Sequence, residues 1–444
     1  MRVVIVGAGE VGSSIAESLA DTHEVVVIDI DADRVESLTY SLDVLPIEGD
    51  GTDLDTLEEA DVGDADMVIA STDDDETNIV TCGAANVAGD AFTIARVKSP
   101  KYLRAWERAR GAFGVDFMVC TDLLAAEAIV GLAGLPTAQD VDTFADGLVQ
   151  MTEFEIPADS PIADQTVAEA DRFDSLTFAA IIRGEGDVVI PQGETVIRGD
   201  DDVVVIGSPD SIRKFSSAIA PEEQGPEDIV IAGGGEIGYQ AARLLEERGF
   251  SPRIIEQDEK RARWLAEQLP KTTVLNSDAT DQEMLDRENV GLADVVVAAM
   301  ENDQQNLLGT LLAKRKGANR AIAVVNTGDF AELFEAVGID VAVSPREATA
   351  EEITRFTRAR RAENVAIIED DCAEVIEIEV DAESILVDRT IRESAADLPA
   401  GVVIGAITRG EKHITPRGDT TIREGDHVIV FTATDVLEEV TEQL

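Results

Sequence analysis

Histidine and cysteine are nearly missing from this 444-residue chain, with three of each. Cys82, Cys120 and Cys372 stand far apart, each in an apolar stretch, so no disulfide framework or CxxC pair can be built from them. They read as buried structural thiols. His23, His413 and His427 are equally scattered and lack the spacing of a metal site. No run approaches the ~20 apolar residues that a membrane-spanning helix needs. The first residues already read as a core strand and leave no room for a cleaved leader, so a cytoplasmic protein is expected. Lysine is scarce too, at eight of the 36 basic residues, against 90 acidic ones and a formal charge of −54. That balance excludes nucleic acid as a partner, because phosphate backbones require clustered Lys and Arg. Acid excess with little Lys points to a high-salt cytoplasm, where a Debye length of about 3 Å at 1 M screens self-repulsion. Circular dichroism should then show unfolding as salt falls toward ~0.1 M; a fold indifferent to salt would refute the reading.

What the chain does have is a repeat. Gly7-Ala8-Gly9-Glu10-Val11-Gly12 closes an apolar strand Arg2–Val6, and Gly233-Gly234-Gly235-Glu236-Ile237-Gly238 closes Ile229–Ala232, 226 residues later. An acid ends the following strand in both copies, Asp29 and Glu256. Gly49-Asp50-Gly51-Thr52-Asp53 recurs as Ser277-Asp278-Ala279-Thr280-Asp281, and Asp75-Glu76-Thr77-Asn78 as Asp303-Gln304-Gln305-Asn306. One GxGxxG is weak evidence, but four ordered features at a nearly constant offset indicate a duplicated nucleotide-binding unit.

Between these marks, short branched-apolar strands alternate with helical stretches such as Glu10–Ala20, Ala32–Tyr40 and Asp75–Val87. That alternation predicts βαβ units and a parallel sheet. Near Asp146 and again near Val365 the texture changes to short strands with turn signals. Pro191-Gln192-Gly193-Glu194-Thr195 is repeated as Pro416-Arg417-Gly418-Asp419-Thr420. The expected class is α/β, with two Rossmann-like doubly wound lobes at 1–135 and 227–347. Each is followed by a small α+β lobe, at 140–220 and 363–444, and Pro221–Asp228 is the linker between halves. The helices after Thr121 and after Pro345 carry apolar faces that fit either self-association through a crossover between paired lobes, which we favour, or packing inside one chain.

The glycines allow close backbone approach to a pyrophosphate, and the N-terminus of the next helix offers free N–H groups. Gly7, Gly9 and Gly12 fit this role, as do Gly233, Gly235 and Gly238. Asp29 and Glu256 are placed to accept hydrogen bonds from ribose hydroxyls. A 2′-phosphate would meet Asp29 and Asp31 with no nearby Arg, which disfavours NADP. Asp50 and Thr52 lie where an adenine edge would sit, or form an Asx turn that starts the next helix. Thr72, Asp73 and the helix start Asp75–Asn78 face the same crevice, or merely cap that helix. A dehydrogenase needs His, Lys or Tyr facing the nicotinamide. Here the histidines and Tyr40, Tyr102 and Tyr239 show no partner pattern, and no GxSxG, Walker lysine or HExxH occurs. No catalytic residue is assigned. The nucleotide reads as a signal rather than a reactant. Acid clusters at Asp73–Glu76 and Glu369–Asp371 read as solvated surface in preference to a divalent-ion site.

Taken together, Val3–Asp29, Gly49–Asp53, Ala70–Asn78, Ala95-Arg96-Val97, the second copy from Val230 onward, Ser160-Pro161-Ile162 and Ile197–Ile206 make the chain resemble the TrkA family. These are the peripheral regulatory subunits of Trk and Ktr potassium-uptake systems, built from RCK domains. The resemblance covers essentially the whole chain and is closest to the form with two tandem RCK domains. It implies a homo-oligomeric ring, a tetramer by family expectation, under a membrane potassium-transporter subunit of the TrkH or KtrB kind. It also implies NAD(H), or ATP and ADP, as the gating ligand. Carried over by position, it puts pyrophosphate on Gly7, Ala8, Gly9, Glu10, Val11 and Gly12, ribose on Asp29 and adenosine contacts near Asp50. Arg96 then reaches a phosphate or a neighbouring subunit. The second copy departs: Val324 replaces Arg96, and Asn276-Ser277-Asp278 replaces Glu48-Gly49-Asp50. Its candidates, Gly233, Gly235, Glu236, Ile237, Gly238, Glu256, Asp278 and Ala279, bind a different nucleotide, bind weakly or are structural. Two other functions compete, a regulator of another ion or solute carrier and an NAD-dependent dehydrogenase.

Overall fold

The computed structural model describes the chain except residues 21, 110–112, 136, 185–186, 222–226, 328–329, 359–363, 369–372, 382–383, 395–397, 400, 411, 434–435, 437–439 and 441–444. Cys372, the Glu369–Asp371 cluster and most of the Pro221–Asp228 linker therefore lie outside the described residues.

Strands β1 (Arg2–Val6), β2 (Glu24–Asp29), β3 (Leu45–Glu48), β4 (Met67–Ala70), β5 (Phe92–Val97) and β6 (Phe117–Cys120) form a sheet in the order β3-β2-β1-β4-β5-β6. Every pairing is parallel, with Val6 opposite Ile28 and Ala70. Val3, Val4 and Ile5 are fully buried, as parallel strands covered on both faces must be. The order reverses between β1 and β4, and ligands bind in the crevice at the carboxyl ends of strands at such a switch point. After this sheet come β7 (Ala138–Phe144), β8 (Val149–Glu155), β9 (Leu176–Arg183), β10 (Asp187–Val189) and β11 (Asp202–Gly207), antiparallel in the order β10-β9-β11-β8-β7.

The second half repeats both sheets. β12 (Ile229–Ala232), β13 (Arg253–Glu256), β14 (Thr273–Asn276), β15 (Val295–Ala298), β16 (Arg320–Val324) and β17 (Val341–Val343) run β14-β13-β12-β15-β16-β17. β18 (Asn364–Ile368), β19 (Ala373–Glu379), β20 (Val402–Arg409), β21 (Lys412–Ile414) and β22 (His427–Ala433) run β18-β19-β22-β20-β21, the same antiparallel order as the first small sheet. The duplication extends to side chains. Arg183 grips Asp201 through Nε and Nη2 at 3.1 and 3.2 Å, and Arg409 grips Asp426 through the same atoms at 2.7 Å each.

The lobes group by kind. Met1–Val130 and Glu227–Thr354 form one compact unit, the two Rossmann lobes. Gly131–Pro226 and Arg355–Leu444 form the other, and the small lobes share a core that includes Phe144, Met151, Ala373 and Phe431. Within the Rossmann unit the helices Thr121–Ala133 and Pro345–Arg358 meet: Thr121 Oγ1 lies 3.1 Å from Thr349 Oγ1. Arg248 Nη1 donates to Val130 O at 3.2 Å, a second contact between the lobes. Both contacts lie within one chain, the alternative to self-association that the apolar helix faces left open. Among the described residues no helix is long and apolar enough to cross a membrane.

Candidate functional site

A cleft of about 650 Å³ opens at the switch point of the first sheet, lined by the glycine loop, the ends of β2, β4 and β5, and the loop after β3. The loop turns only because residue 7 is glycine. Its φ is +106°, and a Cβ there would sit 2.9 Å from Thr72 N. Gly12 lets the helix Glu10–Ala20 lie on the loop, since a Cβ would fall 1.8 Å from Gly7 O. Gly9 is different: its nearest neighbour in that direction is Arg34 Nη1 at 3.6 Å, so its bare face opens on the cleft. This is the surface a pyrophosphate requires.

Asp29 is buried at the end of β2. Its Oδ2 accepts from Ala8 N at 2.6 Å and its Oδ1 from Asp31 N at 2.8 Å, which fixes the carboxylate toward the cleft. Sequence alone suggested no arginine near this end. Arg34 nevertheless stands there, with Nη1 3.9 Å from Asp29 Oδ2 and Nε 3.7 Å from Asp31 Oδ2. Asp31 caps the helix Ala32–Ser41, and its first turn brings Arg34 back over the strand end. Two carboxylates against one half-exposed guanidinium still leave that end acidic.

Asp50 lines the cleft and also makes the Asx turn: its Oδ1 accepts from Thr52 N at 2.9 Å and Thr52 Oγ1 at 2.7 Å. The backbone bond, then the hydroxyl bond, holds its carboxyl below the ordinary range. Thr52 itself supports the turn and does not line the cleft. Nor do Ala8 and Gly12, which act from behind the loop. Thr72 and Asp73 do line it. Buried Asn78 organises them, accepting from Thr72 N at 2.8 Å and donating through Nδ2 to Arg96 O at 2.8 Å. Asp74 is the residue that caps the helix Asp75–Ala88, accepting from Thr77 N at 2.7 Å.

Arg96 is 3% exposed at the end of β5. Its Nε donates to Thr121 Oγ1 at 3.1 Å, and its Nη1 lies 3.4 Å from Ser71 O and Thr72 O and 3.5 Å from Asp73 Oδ1. Burial lowers its affinity for a proton, partly offset by Asp73. Burial also opposes ionisation of Asp73, but the Lys98 hydrogen bond and the charges of Lys98, Arg96 and Arg346 keep its carboxyl below the usual range. Arg346, from the second Rossmann lobe, lines this cleft and pairs with Glu10. Sequence reasoning missed it because 250 residues separate it from Arg96; only its place as the second residue of the crossover helix could have flagged it.

The second cleft, about 430 Å³, repeats the frame. Glu256 Oε2 accepts from Gly234 N at 2.9 Å and Oε1 from Asp258 N at 2.7 Å, matching Asp29. Asp278 makes the same turn with Thr280, at 2.8 and 2.7 Å, and Asn306 the same bracket, donating to Val324 O at 2.8 Å. Gly233, Gly235, Glu236, Ile237, Glu256, Asp278 and Ala279 line this cleft, whereas Gly238 packs beneath Gly233. The charges differ. Val324 takes the place of Arg96, and Arg261 is committed to the loop, donating to Gly234 O at 2.6 Å and Gly235 O at 3.1 Å. Asp122 of the first lobe enters the lining, and burial, then the neighbouring Glu236, pushes its carboxyl up to about 6.

Comparison with known proteins agrees with this architecture. The TrkA-N domain matches residues 3–120 and 229–345, and the TrkA-C domain matches 151–220 and 375–444. The chain belongs to the TrkA family. It is 37% identical over 448 residues to "Trk system potassium uptake protein TrkA homolog 1" of Methanosarcina mazei, covering 99% of each chain. It is 34% identical to "Trk system potassium uptake protein TrkA" of Vibrio alginolyticus, covering 97% of this chain and 95% of that one. In fold, this TrkA-family chain is similar to a solved structure described as "GsuK channel bound to NAD". The TM-score is 0.62 at 21% identity, over 100% of this chain and 78% of that one.

Proposed function

We propose that this chain is a regulatory subunit of a potassium-uptake system, sensing a nucleotide in its first cleft and passing the result to a membrane transporter subunit of the TrkH or KtrB kind. The observation that carries the reading is the hydrogen-bonded path from the cleft to the paired lobe. Arg96 faces the cleft, Thr121 accepts from it, and Thr349 of the second Rossmann lobe touches Thr121 at 3.1 Å. A ligand that draws on Arg96 therefore bears on the contact between lobes. Such a ligand shifts the molecule only through its different affinities for two arrangements of the lobes.

NAD(H) is the leading ligand, with ATP and ADP as alternatives. Gly9 presents an open backbone face for the pyrophosphate, and Asp29 presents a fixed carboxylate for the ribose hydroxyls. The NAD named for the GsuK channel and the potassium uptake named for the relatives support the same reading. The polar lining is made of arginines, carboxylates and the hydroxyls of Ser71, Thr72 and Thr77. Among the described lining residues there is no His, Lys or Tyr to face a nicotinamide, which supports a ligand that is held rather than one that reacts. The second cleft either takes a different nucleotide or serves structure. Family likeness supports assembly as a homotetrameric ring on the cytoplasmic face.

The test is potassium flux into proteoliposomes that carry the cognate transporter with the purified subunit. Adding NADH or ADP should change the flux, and the Asp29→Ala subunit should support flux without that response. Flux that ignores every nucleotide would refute the proposal.

A further inference from the structure

The two crossover helices start with residues of opposite charge at equivalent positions. Asp122 is the second residue of the helix Thr121–Ala133, and Arg346 the second of Pro345–Arg358. Each enters the cleft of the other lobe: Arg346 lines the first, Asp122 the second. Each meets the same fingerprint position there. Arg346 pairs with Glu10, whereas Asp122 lies beside Glu236 and is repelled by it. The first cleft thus gathers Arg34, Arg96 and Arg346. Among its described lining residues the second has one guanidinium, Arg261, and none where Val324 stands.

We propose that Arg346 and Asp122 set the ligand charge of the two clefts from across the lobe pair. Arg346 makes the first cleft a diphosphate site, and Asp122 excludes a diphosphate from the second, leaving it to ligands without charge at that point. The proposal rests on the reading of the first cleft as a nucleotide site and adds its specificity. Arg346 is free to change partners, because its pair with Glu10 is partly solvent-exposed and such pairs are weak. A phosphate oxygen offers it a charge-assisted bond in a less hydrated place. In the second cleft the same geometry puts two carboxylates where the phosphate charge would fall. Occupation of the first cleft then holds both lobes directly, since one ligand touches residues of each.

The experiment is calorimetry on the full chain at molar KCl, with ADP and adenosine as probes. Wild type should bind one ADP per chain. Arg346→Gln should weaken ADP about tenfold and leave adenosine within about twofold, while Arg346→Lys should restore much of the loss. Asp122→Arg should create a second ADP event per chain, and the isosteric Asp122→Asn should move the second cleft in the same direction. Equal losses for ADP and adenosine in Arg346→Gln, or two equivalent ADP sites in wild type, would overturn the proposal. Asp29→Ala separates the two levels. If it leaves ADP binding untouched, the reading of the first cleft fails. If it removes binding and Arg346→Gln does not weaken it, only this inference fails.

Discussion

Asp29→Ala raises the Kd of the first cleft for NADH by about a hundredfold in calorimetry at molar KCl. The carboxylate is buried at the end of β2 and held by two backbone donors, Ala8 N and Asp31 N, so it is already oriented before a ligand arrives. Hydrogen bonds to a charged group contribute roughly 1.5–3 kcal/mol each, and tenfold in affinity is about 1.4 kcal/mol. Losing the acceptor for one or both ribose hydroxyls therefore removes most of the binding. Alanine also leaves Ala8 N without its partner, which loosens the glycine loop. Because the contact is local and desolvated, molar salt does not mask the effect. An affinity unchanged by the substitution would place the nucleotide elsewhere.

Gly9 and Gly12, in the same loop, should separate binding from folding. Gly9→Ala should leave thermal stability nearly as in wild type and remove NADH binding. A Cβ on Gly9 meets only Arg34 Nη1 at 3.6 Å, an ordinary contact with a flexible side chain, but it occupies the face on which a pyrophosphate must lie. Gly12→Ala should instead destabilise the first Rossmann lobe severely. Its Cβ would fall 1.8 Å from Gly7 O and 2.9 Å from Ser71 Oγ, so the helix Glu10–Ala20 must lift off the loop. Overpacking costs roughly 1–3 kcal/mol when side chains can yield, and backbone oxygen yields least. Calorimetric melting of both variants, with NADH titrated into each that folds, decides the matter. A Gly9→Ala protein that binds NADH normally would show that the loop does not carry the phosphates.

The parallel sheets and the duplicated glycine-loop unit were legible because their signals are local. A strand, a glycine turn and an acid at the next strand end lie within thirty residues, and Asp29 and Glu256 are where that spacing puts them. Asn78 was quoted in the repeat, but its bracket from Thr72 to Arg96 O is a tertiary contact that no spacing reveals. Strands β7, β18 and β21 were not read, and β7 begins at Ala138, just ahead of the expected small-lobe start. In β7 the polar residues Gln139, Asp140 and Asp142 hide an edge strand in an acidic chain, and β21 is three residues long, whereas β18 is a short apolar run, Asn364–Ile368, with no alternation to mark it. Arg34 escaped because a helix turn, not the chain, brings it to Asp29. Arg346 and Asp122 escaped for a larger reason. Each belongs to one lobe and lines the cleft of the other, so the duplication that made the fold readable concealed which copy completes which site.

The central claim is that the first cleft holds a nucleotide as a signal. Its most direct test is isothermal calorimetry of the wild-type chain at molar KCl with NADH, NAD, ATP and ADP in turn, followed by assay of each mixture for chemical change. The account predicts saturable binding of at least one of them, with the nucleotide recovered intact. Binding of none, or turnover of the bound nucleotide, would contradict it.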